Sequence, residues 1–181
     1  MQIISGRYRG KKLLHYSSDV TRPTIGRIRE SVFNVLSNML DGGFEGKVAL
    51  DLFAGSGAYG LECYSRGAGQ VIFNDVDARA VDVIKKNVAS IKCQNAVILN
   101  YDFRKVLEQF GRYEFDVVFL DPPYDSDIGL FAIDKVKLKR SGIIVFETDE
   151  RFAEKYDIEF AGYEVKQKIY GDKIIYFLVR L

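Results

Sequence analysis

The chain predicts an α/β fold: a seven-stranded, mostly parallel sheet that ends in an antiparallel hairpin. Three observations carry this. Between residues 47 and 148, near-continuous apolar runs alternate with segments of helical period. Such runs are strands covered on both faces, the mark of a parallel sheet sandwiched by helices. The last two runs, Y-E-V-K-Q-K-I-Y and K-I-I-Y-F-L-V-R, are parted only by Gly171-Asp172, a hairpin signal. Finally, 181 residues with 48% apolar and 28% charged side chains suit one soluble domain with a real core.

Taken in order, residues 1–22 mix short apolar and basic pieces with Gly6 and Gly10. They predict a small hairpin or arm, leaving 23–181 as the main unit. R-P-T-I opens a helix: Pro23 disfavours helical geometry at Arg22, and Thr24 is the candidate N-cap. Ile28, Val32, Phe33, Val35, Leu36 and Met39 form its apolar stripe, and Asp41-Gly42-Gly43 ends it. Strands are predicted over 47–53, 70–75, 96–101, 115–121 and 142–148. Helices are predicted over 58–66, 77–91, 103–110 and 127–138. The hairpin closes the chain.

Several classes are excluded or disfavoured. No long uncharged apolar run would cross a membrane, and the N-terminus lacks a signal peptide's apolar core. Cys63 and Cys93 have no zinc spacing, and His15 is the one histidine. The cysteines read as free thiols of a reducing cytoplasm, His15 as a surface residue of the arm, and no metal site is expected. Net charge is +1, yet residues 1–30 carry seven cations against two acids, so the rest of the chain sums to −4. Arg7, Arg9, Lys11, Lys12, Arg22 and Arg27 belong to this basic segment. It suggests a polyanionic partner; the bland alternative is a solubilising arm.

In parallel sheets, ligands bind beyond the carboxyl ends of the strands. Here those ends carry Asp51, Asp75, Asp102 and Asp121. After the first strand, D-L-F-A-G-S-G-A-Y-G places Gly55, Gly57 and Gly60 in the pattern G-x-G-x-x-G, and Asp75 follows twenty residues after Gly55. This predicts a nucleoside-containing ligand at a tight turn, its ribose diol held by a carboxylate. Asp77 is a rival for that carboxylate and also a candidate helix cap. Asp51 separates two ligand classes: a pyrophosphate would be repelled by a carboxylate just before its loop, and a cation would be attracted. S-adenosylmethionine carries a sulfonium, an ammonium and the same ribose, so it fits better than a nicotinamide dinucleotide. Asp102 could accept from the adenine amine, with Phe103 or Tyr101 against the ring; it could equally cap the helix that follows.

The fourth strand, F-D-V-V-F, runs into L-D-P-P-Y-D. Prolines end a ladder, and a carboxylate there does nothing for packing. Beside a methyl donor the pattern has a use. An exocyclic amine on a nucleobase is a poor nucleophile because its lone pair is delocalised. Asp121 and the carbonyl of Pro122 can accept its two N–H groups and redirect that lone pair. Pro122 and Pro123 stiffen the turn, and Tyr124 offers a face for base stacking.

The pieces I-I-S-G-R-Y-R-G-K-K-L, R-P-T-I-G-R-I-R-E-S-V-F-N-V-L, D-L-F-A-G-S-G-A-Y-G-L-E-C-Y-S-R-G-A and F-L-D-P-P-Y occur in family order over roughly residues 1–125. With them the chain resembles the bacterial 16S ribosomal RNA guanine-N2 methyltransferases, the RsmD-like family. The resemblance implies a Rossmann-like class I S-adenosylmethionine-dependent methyltransferase. Its methyl would pass to the N2 amine of one guanine in 16S rRNA, within a small-subunit assembly particle. Asp121 to Tyr124 would hold the guanine. Asp51, Phe53, Ala54, Gly55, Ser56 and Gly57 would flank the methionine moiety, Asp75 and Val76 the ribose, and Asp102 and Phe103 the adenine end. The basic arm with Arg22 and Arg27 would contact RNA phosphates, and the enzyme would act as a cytoplasmic monomer. There are departures. The family usually reads R-P-T-T-D-R, here R-P-T-I-G-R. Its second strand commonly ends on Glu with Asp two positions on, here Asn74-Asp75-Val76-Asp77. Alternatives are methylation of another amine (adenine N6 or a protein glutamine), a small nicotinamide oxidoreductase, or a non-catalytic RNA-binding protein. Glu147 lies at the fifth strand's end with no assigned role.

Overall fold

The computed structural model describes residues 1–15, 23–123, 127–156 and 159–181, with 23–25 described by backbone alone. Arg22 and Tyr124 lie outside the described residues. The element order is α1 (Pro23–Met39), β1 (Val48–Asp51), α2 (Ala58–Ser65), β2 (Gln70–Asn74), α3 (Ala78–Ser90), β3 (Ala96–Leu99), α4 (Phe103–Gln109), β4 (Phe115–Leu120), α5 (Ile128–Lys135), β5 (Leu138–Asp149), α6 (Glu150–Tyr156), β6 (Tyr163–Tyr170) and β7 (Lys173–Arg180). One seven-stranded sheet runs β3-β2-β1-β4-β5-β7-β6. Strands β1 to β5 pair in parallel, and β7 joins β5 and β6 antiparallel. The hairpin therefore folds back so that β7 fills the position beside β5 and β6 takes the edge.

Both faces of the sheet are covered, as the apolar strands require. On one face Ala49, Phe73, Phe119, Val145 and Ile175 pack against α1, α2 and α3 through Val32, Phe33, Leu61 and Ile84. On the other, Leu50, Ile72, Val118, Ile144 and Ile174 meet α4, α5 and α6 through Val106, Ile133 and Phe152. Side chains alternate between faces with period two. Each strand's parity thus decides which layer its terminal residue joins.

Three expectations are corrected. The first helix begins at Pro23 and takes in Thr24, so Thr24 is not its cap. Proline suits a first helical position, where its fixed φ helps and its missing N–H is no loss. The helix expected over 127–138 ends at Lys135, and Val136 is already extended. Leu138 pairs with Phe115 and is buried, so sheet pairing overrides the helical pattern there. The short helix α6 was not expected. It has seven residues and buries only Phe152, too little for a periodic signal.

Residues 1–13 turn back on themselves as a hairpin. Ile3 N–H donates to the Lys11 carbonyl at 3.0 Å, Gly10 N–H to the Ile3 carbonyl at 2.9 Å, and Gln2 bridges Lys12 antiparallel. It is docked: Ile3 and Leu13 are buried in the cluster of α1 and α2.

Candidate active site

Register explains how the strand ends build one site. Asp51 is level with Phe73 on β2 and with Phe119 on β4. Asp75 and Asp121 each lie two residues beyond those phenylalanines and share their parity. Leu120 is level with Phe146, which sets Glu147 beside Asp121. Asp51, Asp75, Asp121 and Glu147 therefore belong to the face of α1 and α2, in two tiers. Asp51 is the lower tier and is buried. Asp102 lies outside this group. It is exposed beyond β3, accepts the Arg104 N–H at 2.9 Å as the N-cap of α4, and is ion-paired with Arg104.

The glycine loop joins β1 to α2. Gly57 holds the helix N-cap position at φ 77°, left-handed geometry that glycine adopts freely. At Gly60 an added Cβ would lie 2.3 Å from the Phe73 ring, so the third glycine permits the close packing of α2 on β2. Gly60 N–H donates to Asp51 at 3.0 Å. Asp75 accepts Gly55 N–H at 2.8 Å on one oxygen and Asp77 N–H at 2.9 Å on the other. Asp75 thus clamps the loop to the end of β2, with lone pairs left for a further donor. Asp77 caps α3 by accepting Arg79 N–H at 2.8 Å. Val76 beside it is 73% exposed, an apolar side chain on the rim.

Sequence reasoning missed Asn74. It is buried, donates to the carbonyls of Leu52 and Tyr101 at 3.2 and 3.1 Å, and accepts Tyr101 N–H at 3.1 Å. It stitches the ends of three strands. Phe103 is buried against Phe53 and Phe131, whereas Tyr101 is exposed beneath Lys105. Phe53 and Ser56 are half-buried and Ala54 is buried in the loop.

Charge is tightly managed here. Burial pushes Asp51 up to about 7, with Gly60 N–H opposing and the charge of Asp75 adding. Asp121 is exposed as a residue, while its carboxylate group is withdrawn from water. Lost hydration raises its pKa first and the Glu147 charge adds, while Lys173 pulls it down. Glu147 is buried, accepts the Tyr59 hydroxyl at 3.2 Å, and is ion-paired with Lys173 of β7. The hairpin thus delivers a cation to an otherwise acidic rim. Pro122 is buried and Pro123 exposed at the same strand end.

The arm's cations are placed as follows. Arg7, Arg9, Lys11, Lys12 and Arg27 are exposed, and Arg7 is paired with Glu45 at 3.6 Å. The arm is fixed to α2 by Glu62, which is fully buried and accepts the N–H groups of Ile4 and Ser5 at 2.7 and 2.9 Å and Arg66 at 2.9 Å. Cys63 and Cys93 are free and buried. No helix among the described residues is long and apolar enough to cross a membrane.

Comparison with known proteins adds the following. A family model described as conserved hypothetical protein 95 matches residues 1–179. The chain is 36% identical over 157 residues to ribosomal RNA small subunit methyltransferase D of Haemophilus influenzae, covering 83% of this chain and 79% of that protein. It is 36% identical over 156 residues to YlbH of Bacillus subtilis, provisionally named an rRNA methyltransferase, covering 82% and 83%. A solved Escherichia coli structure, provisionally named methyltransferase yhhF, superposes with TM-score 0.83 at 29% identity, covering 99% and 97%.

Proposed function

The chain belongs to the conserved hypothetical protein 95 family, and we propose that it transfers a methyl group from S-adenosylmethionine to the N2 amine of a guanine in 16S rRNA. The observation that carries this is the strand-end pair Asp121-Pro122, level with Glu147 and one tier above buried Asp51. The relatives named for small-subunit rRNA methylation support the substrate class. We read residues 1–22 as the RNA-contacting arm and 23–181 as the transfer unit, acting as a cytoplasmic monomer. A compact body with a short arm suits a base presented by a small-subunit particle.

The site fits the donor by charge. Asp51 is a buried carboxylate with one amide hydrogen bond and no cation paired to it among the described residues. A cationic ligand offsets that burial, and a phosphate would aggravate it. When bound, S-adenosylmethionine supplies an electrophilic methyl on a sulfonium. Asp75 offers its remaining lone pairs to the ribose, and Val76 an apolar contact. Asp121 and the Pro122 carbonyl accept the two N–H groups of the target amine and turn its lone pair out of conjugation. The upward shift of Asp121 makes it a competent acceptor for the proton that the methylated amine releases. Because the ionised form does this work, transfer should rise with pH through the raised pKa.

The test is methyl transfer to small ribosomal subunits from cells lacking the corresponding enzyme, with the product nucleoside identified. N2-methylguanosine at one position is expected. Label on another amine would keep the donor and move the substrate. In the same assay Asp121→Ala should lower transfer by about 100-fold or more, the scale of losing a preorganised polar contact, with donor affinity nearly unchanged. Equal loss of donor affinity would refute the role given to Asp121.

A further inference from the structure

Arg29 looks in sequence like one more cation of the basic segment, but it is 4% exposed. It projects from α1 toward the base of the arm. Its Nη2 donates to the Gln2 carbonyl, its Nη1 to the Met1 thioether sulfur at 3.0 Å, and its buried Nε has no partner. A guanidinium is charged at every working pH, and a thioether is a weak acceptor. Arg29 has no ion-pair partner among the described residues. Glu62, the acid whose charge acts on it, is occupied by two backbone amides and Arg66. A buried cation with an orphan N–H and a sulfur for an acceptor would be stabilised by an anionic partner. Its position is informative. The same Met1 sulfur lies 3.8 Å from the Ser56 hydroxyl, so the glycine loop stands on its other side.

The geometry points to Arg29 as the anchor for the carboxylate at the amino-acid end of the methyl donor, with the flexible Met1 side chain yielding its place. This rests on the donor reading given above. The rim of Asp51, Asp75, Asp121 and Glu147 suits the donor's two cationic groups and repels its one anion. The rim's one cation, Lys173, is ion-paired with Glu147, and Arg29 supplies a cation that no carboxylate is paired with among the described residues. An RNA phosphate is a poor occupant, because a nucleic acid backbone does not reach a side chain so enclosed.

Titration calorimetry with two ligands tests this: S-adenosylmethionine and its decarboxylated analogue, which keeps the sulfonium and the amine. The unmodified protein should bind the carboxylate-bearing ligand about 10- to 100-fold more tightly, the scale of a hydrogen bond to a charged group. Arg29→Met should erase that preference while leaving the analogue's affinity nearly unchanged, and Arg29→Lys should keep part of it. Equal weakening of both ligands by Arg29→Met would make the residue structural and overturn the inference. So would equal affinity of the unmodified protein for the two ligands, a result that stands even where a variant fails to fold. Loss of RNA binding with donor affinity intact would overturn it in favour of phosphate. Failure of the unmodified protein to bind either ligand would bring down the donor reading itself, a different outcome from the others.

Discussion

Asp51 sits one tier below Asp75 and Asp121, and that depth sets its chemistry. Its carboxyl is raised to about 7 by burial, against an ordinary value of 3.8. A raised carboxyl favours the protonated folded state. The stability it contributes is complete below the ordinary value and is lost as pH rises through about 7. A cationic ligand reverses the balance by favouring the ionised form, so binding near pH 6 should release a proton. Donor affinity should therefore rise with pH up to about 7. Calorimetry at pH 6 in two buffers of different ionisation heat measures the proton directly, and Asp51→Asn should remove it. No proton release in the unmodified protein would mean that Asp51 does not feel the donor's charge. That Asp51, Asp75 and Asp121 share one rim was legible from their place at strand ends, whereas Asp102, read the same way, lies outside it. What these acids touch was not legible: Asp75 spends one lone pair on Gly55 and another on Asp77, and no sequence pattern announces such bonds. Arg29 was equally hidden, because its burial comes from the arm packing on α1, a contact between segments distant in sequence.

Between elements, the arm and α2 act as one piece. The Glu62 carboxylate on α2 meets amides 57 and 58 residues away. Asn87 of α3 adds a second fastening: it accepts Leu14 N–H at 2.8 Å and donates to the Leu14 and Ser56 carbonyls at 3.1 and 2.9 Å. The arm's base is thereby tied to the glycine loop itself. Removing the Glu62 carboxylate strands two amides and Arg66 at once. Glu62→Ala should lower unfolding free energy by about 3 kcal/mol, the scale of breaking a buried ion pair from one side. Hydrogen exchange should accelerate at Ile4 and Ser5 well before the central strands, and Glu62→Gln should be milder. Uniform acceleration across the sheet would mean that the arm is integral to the core. The hairpin itself was legible from Gly6, Gly10 and the alternation around them; its docking was not. The same contrast holds for α5, where local period suggested helix to 138 and pairing of Leu138 with Phe115 decided otherwise.

Across the whole molecule, charge is divided rather than balanced. The first 30 residues carry +5 and the remainder −4. Four carboxylates, Asp51, Asp75, Asp121 and Glu147, share the rim, and Arg7, Arg9, Lys11 and Lys12 are exposed on the arm. The parallel half of the sheet and this division could both be read from the chain. The seating of β7 between β5 and β6 could not, since a hairpin signal fixes which strands pair and leaves open which one meets β5. The seating matters, because it brings Lys173 to Glu147 beside Asp121. The arm's turn reaches the far end of α2, where Arg7 N–H donates to the Ser65 carbonyl. An eight-residue helix is roughly 12 Å long, so the arm's cations extend about that distance from the glycine loop. A bound polyanion would be gripped along this line while one base enters the rim. Arg9, Lys11 and Lys12 are exposed, so neutralising all three should leave fold and donor affinity intact. The plot of log binding constant against log salt should then become shallower by about 2 units, at roughly 0.7–0.9 for each phosphate that is no longer neutralised. Binding measured over a salt series, with a small-subunit RNA fragment as probe, decides the matter. A lower affinity with an unchanged slope would assign the three residues to shape rather than charge. An unchanged affinity and slope would leave the arm as a solubilising edge, and the RNA would have to be held elsewhere.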